Sequence, residues 1–366
     1  MTKRGDCLLS PVNSQRWRHT IWAPAFAGVS GRWGVGRQMM DLNFDAYVTA
    51  VLFDRRHRAV FALGDGTVRF EDGTAVEAHP DASVQCACAH PSGEGVLTGG
   101  DDGRVVWTRA SGAELVGEIG GKWIDCIASS PESGLIAYSA GKDLHVKDVK
   151  DPKFARAFRH DHSLADLTFE PKGRRIAAAT YGGVALWYAR IAEQKPQVLA
   201  WAGSHVGAVW SPDGRFIVSS MQEGQLHGWR LQDVKNMQMG GYPAKVKSMA
   251  FLADGQILAT SGSNGAVVWP FGGANGPLGK QASEVAYDEG LTTRVASAGG
   301  KGPLLAVGRD DGRVGVLNLQ ATHNEKVRNV PTGSPITALA ISTDGGRVAW
   351  GDESGAAGVA GLPAMV

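Results

Sequence analysis

Long apolar runs are missing from this chain. No stretch reaches the eighteen or so apolar residues that a bilayer-spanning helix needs. Cysteine is scarce: Cys7, Cys86, Cys88 and Cys126 are the four among 366 residues. So few thiols imply no disulfide framework in a protein this large. A dominant charge is lacking too, because the formal net charge is +1. Residues 1–40 hold six Lys or Arg against Asp6 alone, which leaves 31 basic and 35 acidic residues, a net of −4, for the rest. A mildly acidic body has no basic footprint for a phosphate backbone. Nucleic-acid and membrane partners are therefore not expected. Catalytic signatures are equally thin. No Ser-His-Asp order and no phosphate-cradling loop stands out. The Gly-rich stretches at 272–276 and 299–302 lead into no helical pattern, so neither is a dinucleotide site.

Glycine is what the chain has in quantity, 50 residues, and it falls at recurring turns. The turns are Gly64-Asp65-Gly66, Asp101-Asp102-Gly103, Gly141-Lys142-Asp143, Gly182-Gly183, Glu223-Gly224, Asn264-Gly265, Asp311-Gly312 and Ser354-Gly355. Gly, Asn and Asp suit tight hairpins, which need positive φ. A strand of small or β-branched residues precedes each turn. After most turns comes a strand ending in an aromatic or long apolar residue: Trp107, Trp187, Trp229, Trp269 or Leu317. A period of about forty residues built from short strands predicts a β-propeller. The fold class is thus all-β, a single closed propeller over residues 41–366. Eight turns predict eight four-stranded blades. Seven is the alternative, because the seventh unit, around 291–302, fits the pattern poorly. The last unit supplies three strands, and the run Leu42 to Phe44 is expected to complete it and close the ring. Such closure leaves no open blade edge.

Residues 1–40 do not follow the repeat. Their one apolar run, 21–29, is broken by Pro24 and follows some twenty mixed polar residues, a poor match to a signal peptide. The expectation is that this leader lies outside the fold, either as a disordered tail or as sequence ahead of a true start at Met39 or Met40. The protein is expected to be cytoplasmic, with export to the periplasm as the alternative, and monomeric.

The repeats resemble the WD40 family over residues 41–362. The best pieces are 209–220 with 227–230 in the fifth unit and 96–108 in the second. The chain departs from the family in lacking the Trp-Asp pair, as in Trp107-Thr108, Trp187-Tyr188, Trp229-Arg230 and Trp269-Pro270, and in lacking a Gly-His pair before the first strand. The family's buried Asp-His-Ser/Thr-Trp network is accordingly expected to be incomplete in every unit. The resemblance implies a bacterial-type, non-enzymatic scaffold for a protein or peptide, with no cofactor.

On that reading a partner docks where the first strand of each unit begins. The residues flanking those starts are Tyr47, Thr49, Gln85, Trp123, Asp125, His162, Ala165, Lys245, Lys247, Pro335 and Thr337. Trp123 with Asp125, and Lys245 with Lys247, stand out. An exposed indole is a frequent interface anchor, and a lysine pair favours an acidic peptide. The same residues also read as a half-buried Trp and a solvated rim. The alternative to a scaffold is a metal or small-ligand site at the channel mouth. His160 and His162 flank Asp161, and His79 and His205 lie in loops of the same type. Core packing is the better reading of Cys86, Cys88 and Cys126. A thiol cluster of the three is the sharper alternative.

Overall fold

The computed structural model describes residues 6–7, 39–320 and 324–363. Eight repeat units follow one another. Their inner strands are Val48–Phe53, Val84–Ala89, Cys126–Ser130, Leu164–Phe169, the second half of Gln197–Trp210, Met249–Leu252, Thr292–Ser297 and Ile336–Ile341. Each unit runs outward by antiparallel hairpins. In unit three Cys126–Ser130, Leu135–Ala140, Asp143–Asp148 and Asp151–Arg159 pair in that order. In every unit but the fourth, where Gly182-Gly183 lies within the strand Arg175–Tyr188, the turns between second and third strands fall where the Gly and Asp pattern predicts. Gly66 shows why glycine is required there. Its φ is 83°, and a Cβ would sit 2.2 Å from the His79 carbonyl oxygen.

The hydrogen-bonded sheets number seven, six with four strands and one with seven. Seven was the alternative count, but its reason differs from the expected one. Unit seven is a complete sheet: Thr292–Ser297, Leu304–Arg309, Val314–Asn318 and Asn324–Arg328. The reduction comes from units four and five. Arg175–Tyr188 and Gln197–Trp210 are continuous strands of 14 residues. The first half of Gln197–Trp210 pairs within unit four, with Gly183↔Ala200 and Leu186↔Gln197. Its second half pairs within unit five, with Trp210↔Ile217. One sheet thereby carries two units, and eight inner strands still surround the axis.

Met39–Asn43 pairs antiparallel with Ala356–Gly361, from Met39↔Ala360 to Asn43↔Ala356. The N-terminal strand thus completes the last unit, as the sequence predicts. Asp6 and Cys7 pair in parallel with Gln238 and Met239 on the outer edge of unit five. Two residues of the leader therefore touch the propeller from which sequence reasoning excluded it. Residues 8–38 lie outside those described.

Burial is greatest at the seams between units. Leu144, Val146 and Phe158 of unit three pack with Leu164, Ile176 and Trp187 of unit four. Phe216 and Val218 of unit five pack with Val246, Phe251 and Trp269 of unit six. The small residues of the second strands have a direct cause here. A Cβ on Gly351 would lie 2.4 Å from Val48 Cγ1, one on Gly308 2.6 Å from Ile336 Cγ2, and one on Gly99 2.5 Å from Ile124 Cγ2. In each case the next unit's entry residue fills the space that a side chain would need.

Candidate binding site at the channel mouth

The inner strands share a distortion at their second residue. Register shifts fall between Val48 and Ala50, Val84 and Cys86, Leu164 and Asp166, His205 and Gly207, Thr292 and Arg294, and Ile336 and Ala338. A bulge of this kind leaves one residue unpaired and re-aims its side chain. Asp125 and Lys247 occupy the same place in units three and six. The Asp125 N–H donates to the Ser139 carbonyl, and the Lys247 N–H donates to Ser261 Oγ at 2.9 Å. The channel mouth is therefore ringed by bulged residues.

The ring has two arcs. In units seven, eight and one the bulged residue is threonine, and its hydroxyl turns toward the next unit. Thr293 Oγ1 donates to the Ile336 carbonyl at 3.0 Å, Thr337 Oγ1 to the Val48 carbonyl at 2.6 Å, and Thr49 Oγ1 to the Val84 carbonyl at 3.1 Å. In the other arc Gln85, Asp125, Ala165 and Lys247 are exposed. The Asp125 carboxylate accepts the Gly141 N–H at 2.8 Å, so it also fastens a turn of its own unit.

The other predicted contact residues divide as follows. Trp123 is 61% exposed. The remaining described tryptophans, Trp107, Trp187, Trp201, Trp210, Trp229, Trp269 and Trp350, are buried or half-buried. Tyr47, Lys245 and His162 are exposed, and Pro335 is half-buried. Lys245 Nζ donates to Gln222 Oε1 at 2.6 Å. The His162 ring stands edge-on to that of Tyr181, centroids 5.2 Å apart.

The histidines that sequence reasoning grouped as possible metal ligands are split among separate networks. His79 Nδ1 meets the Asp102 carboxylate at 3.0 Å, and its Nε2 meets the Thr98 hydroxyl at 2.9 Å. His205 meets Ser219 Oγ at 2.7 Å and the Trp201 carbonyl at 3.0 Å. His160 Nε2 accepts the Trp187 indole N–H at 3.1 Å, and burial lowers its pKa to about 4. Both ring nitrogens of His79 and His205 thus meet protein atoms. No group of three or more His, Cys, Asp or Glu comes together among the described residues in a way that could hold a metal.

These networks include a feature that the sequence hid. His79, Asp102 and Thr98 form three members of the family's four-residue network. No Gly-His pair marks them, because Ala78 precedes His79. Trp107 stands apart, its indole N–H donating to the Glu94 carbonyl at 2.7 Å. In unit six a tyrosine takes the histidine's place: Trp269 Nε1 donates to the Tyr242 hydroxyl, which meets Thr260 Oγ1, both at 2.7 Å.

The residues just after the bulges face the neighbouring inner strand. Cys86 Sγ reaches the Ile124 carbonyl, and Cys126 Sγ lies 2.9 Å from Ser139 Oγ. Burial raises the pKa of both thiols strongly and pushes Cys88 up to about 12. All three are protonated at neutral pH and are poor nucleophiles. Asp166 accepts the N–H groups of Ala208 and Leu167, each at 2.8 Å, and burial lifts it to about 6. Arg294 donates from Nε to the Thr337 carbonyl and from Nη1 to the Lys247 carbonyl, the latter at 3.3 Å. Desolvation presses its pKa downward.

The architecture and its closure define a β-propeller. The WD domain, G-beta repeat family matches residues 73–107. That stretch runs from the outer strand of unit one through the third strand of unit two and contains the His79–Thr98–Asp102 network. Three solved structures share the fold. The C-terminal WD40 domain of Sif2 has a TM-score of 0.69 at 14% identity, over 89% of this chain and 98% of that one. The computationally designed Ika8 protein has a TM-score of 0.68 at 18% identity, over 87% and 98%. The Cps50 (Swd1) β-propeller domain of Myceliophteria thermophila has a TM-score of 0.58 at 15% identity, over 76% and 96%. No curated protein matches the chain in sequence. The chain is a WD40-like β-propeller.

Proposed function

We propose that this propeller is a non-catalytic scaffold that binds a protein or peptide at the channel mouth, on the face carrying the bulged ring. The carrying observation is Trp123, an indole left 61% exposed in a chain whose other described tryptophans are buried or half-buried. It lies two residues from the exposed Asp125. An exposed indole beside a polar rim has the composition of an interface anchor. WD40 propellers commonly bind proteins and are generally non-catalytic, which supports the same reading. The raised thiol pKa values and the internally engaged histidines leave these groups to packing rather than to proton transfer or nucleophilic attack.

The test is a pull-down with a C-terminally tagged full chain, read by mass spectrometry. A stoichiometric partner retained by wild type and lost with Trp123→Ala supports the reading. A partner retained equally by Trp123→Ala and Lys247→Glu moves binding away from this face.

A further inference from the structure

The two arcs of the ring meet at Arg294, and the chemistry there is one-sided. Arg294 sits just after the bulge of unit seven. Its side chain bridges the bulged residues on either side, with Nε on the Thr337 carbonyl and Nη1 on the Lys247 carbonyl. Both bonds go to neutral acceptors. Among the described residues no carboxylate lies within 4 Å of Arg294, Lys247 or Lys245. Several other arginines are paired, Arg313 with Asp288 and Asp311, Arg347 with Glu71, Arg190 with Asp148, whereas the buried Arg309 likewise donates only to backbone carbonyls, those of Asn264, Gly290 and Ala286. Lys247, whose carbonyl takes the Nη1 bond, is exposed, and the exposed Tyr47 is near enough to act on the guanidinium electrostatically.

A partly desolvated guanidinium without a counter-ion costs free energy that a carboxylate would recover. The two backbone bonds hold the guanidinium in place, so little freedom remains to be lost when an anion arrives. The body of the chain, net −4 outside residues 1–40, repels a long polyanion. Arg294 with the adjoining exposed Lys247 in such a body suits a short acidic segment.

Resting on the scaffold reading above, we propose that Arg294 is a specificity-determining residue. Its guanidinium receives a Glu or Asp carboxylate from an acidic segment of a partner protein, and Lys247 holds a flanking carboxylate.

The experiment uses the full chain and two fluorescein-labelled peptides, hexaglutamate and its hexaglutamine counterpart, with fluorescence anisotropy at low and high salt. Hexaglutamate is expected to bind at least tenfold more tightly than hexaglutamine and to weaken as salt rises. Arg294→Met is expected to weaken it about tenfold, with Arg294→Lys intermediate. Arg294 contributes two backbone bonds, so Lys247→Met serves as the second variant. Its side chain is exposed and its melting temperature should be unchanged, while hexaglutamate binding falls severalfold. Equal binding of the two peptides, no binding of hexaglutamate, or binding indifferent to both variants overturns the proposal. The pull-down with Trp123→Ala is independent of charge at Arg294. A partner lost there while hexaglutamate fails sinks the arginine's role and leaves the scaffold reading standing.

Discussion

The two arcs of the channel mouth use the same backbone device for opposite ends. In units seven, eight and one the bulge turns threonine hydroxyls into the seams, where each hydrogen-bonds the next unit. In units two, three, four and six the equivalent residues, Gln85, Asp125, Ala165 and Lys247, remain exposed. The threonine arc also contains the ring closure, where the last unit takes its outer strand from the other end of the chain. The junction most exposed to opening is thus the one with repeated side-chain straps. The other arc leaves its side chains free to meet a partner. A bulge fixes where a side chain is aimed, and the residue type decides whether it joins neighbours or faces solvent.

The largest expected effect comes from breaking the closure. Removing residues 1–44 strips Met39–Asn43 from Ala356–Gly361 and removes Phe44, whose ring lies 5.0 Å from that of Phe61. Phe44 is half-buried, and losing its packing alone costs about 1.5–3 kcal/mol. Thermal and denaturant unfolding should register at least this much, and an unchanged midpoint would refute the closing role of this strand.

Acid separates the arcs next. Histidines with lowered pKa values, His90, His145, His160, His205 and His227, all belong to units two to five. A ring held neutral in the fold but titrating near 6.5 when unfolded gives its full stabilisation above pH 6.5. That contribution is lost as pH falls toward 4. For His90, His160 and His227, each lowered to about 4 chiefly by burial, the loss is at most about 3 kcal/mol apiece. Asp166, lifted to about 6, acts in the opposite sense. The fold takes up its proton first, so this group favours the folded state as pH falls from 6 toward 3.8, by at most about 3 kcal/mol. A net loss of at most about 6 kcal/mol is expected between pH 6.5 and 4 from these four groups. Hydrogen exchange at pH 4.5 should show units two to five opening ahead of the threonine arc.

Packing in the closing seam comes third. Gly351→Val drives a branched side chain into Val48, with the first added carbon already 2.4 Å away. A loss of about 1–3 kcal/mol is expected in denaturant unfolding. Thr337→Val keeps the shape and removes the strap to the Val48 carbonyl, for about 1 kcal/mol. Trp123→Ala, in the exposed arc, should change stability by no more than about 0.5 kcal/mol while removing the partner. A large stability loss there would mean that the indole supports the fold.

Much of this was legible in the sequence because the turns carry local chemistry. Asp102-Gly103, Asp311-Gly312 and the other pairs mark the hairpins through their backbone preferences, and a missing fourth strand points to closure by the run Leu42 to Phe44, where the strand that forms is Met39–Asn43. Trp229 and Trp269, singled out as strand-ending aromatics, are fully buried. Trp350 is equally buried but sits on a second strand, where the pattern expected small residues. Its ring passes over Gly358, whose Cβ would lie 2.3 Å from it. The site was less legible. Arg294 stands mid-strand in the least regular unit, where no sequence pattern marks it, and the loop positions of His79, His160 and His205 say nothing about which unit each ring enters.

The sequence by itself determined the repeats, the turn positions, the propeller class and the strand that closes the ring. Each depends on residues close together in the chain, or on counting strands that must not be left unpaired. Tertiary structure alone decided that units four and five share one sheet, that the bulges divide the mouth into a strapped and an open arc, and that Arg294 bridges the Lys247 and Thr337 carbonyls of the units on either side. These depend on contacts between residues some forty positions apart, or at opposite ends of the chain, which exist only once neighbouring units pack and the ring is closed.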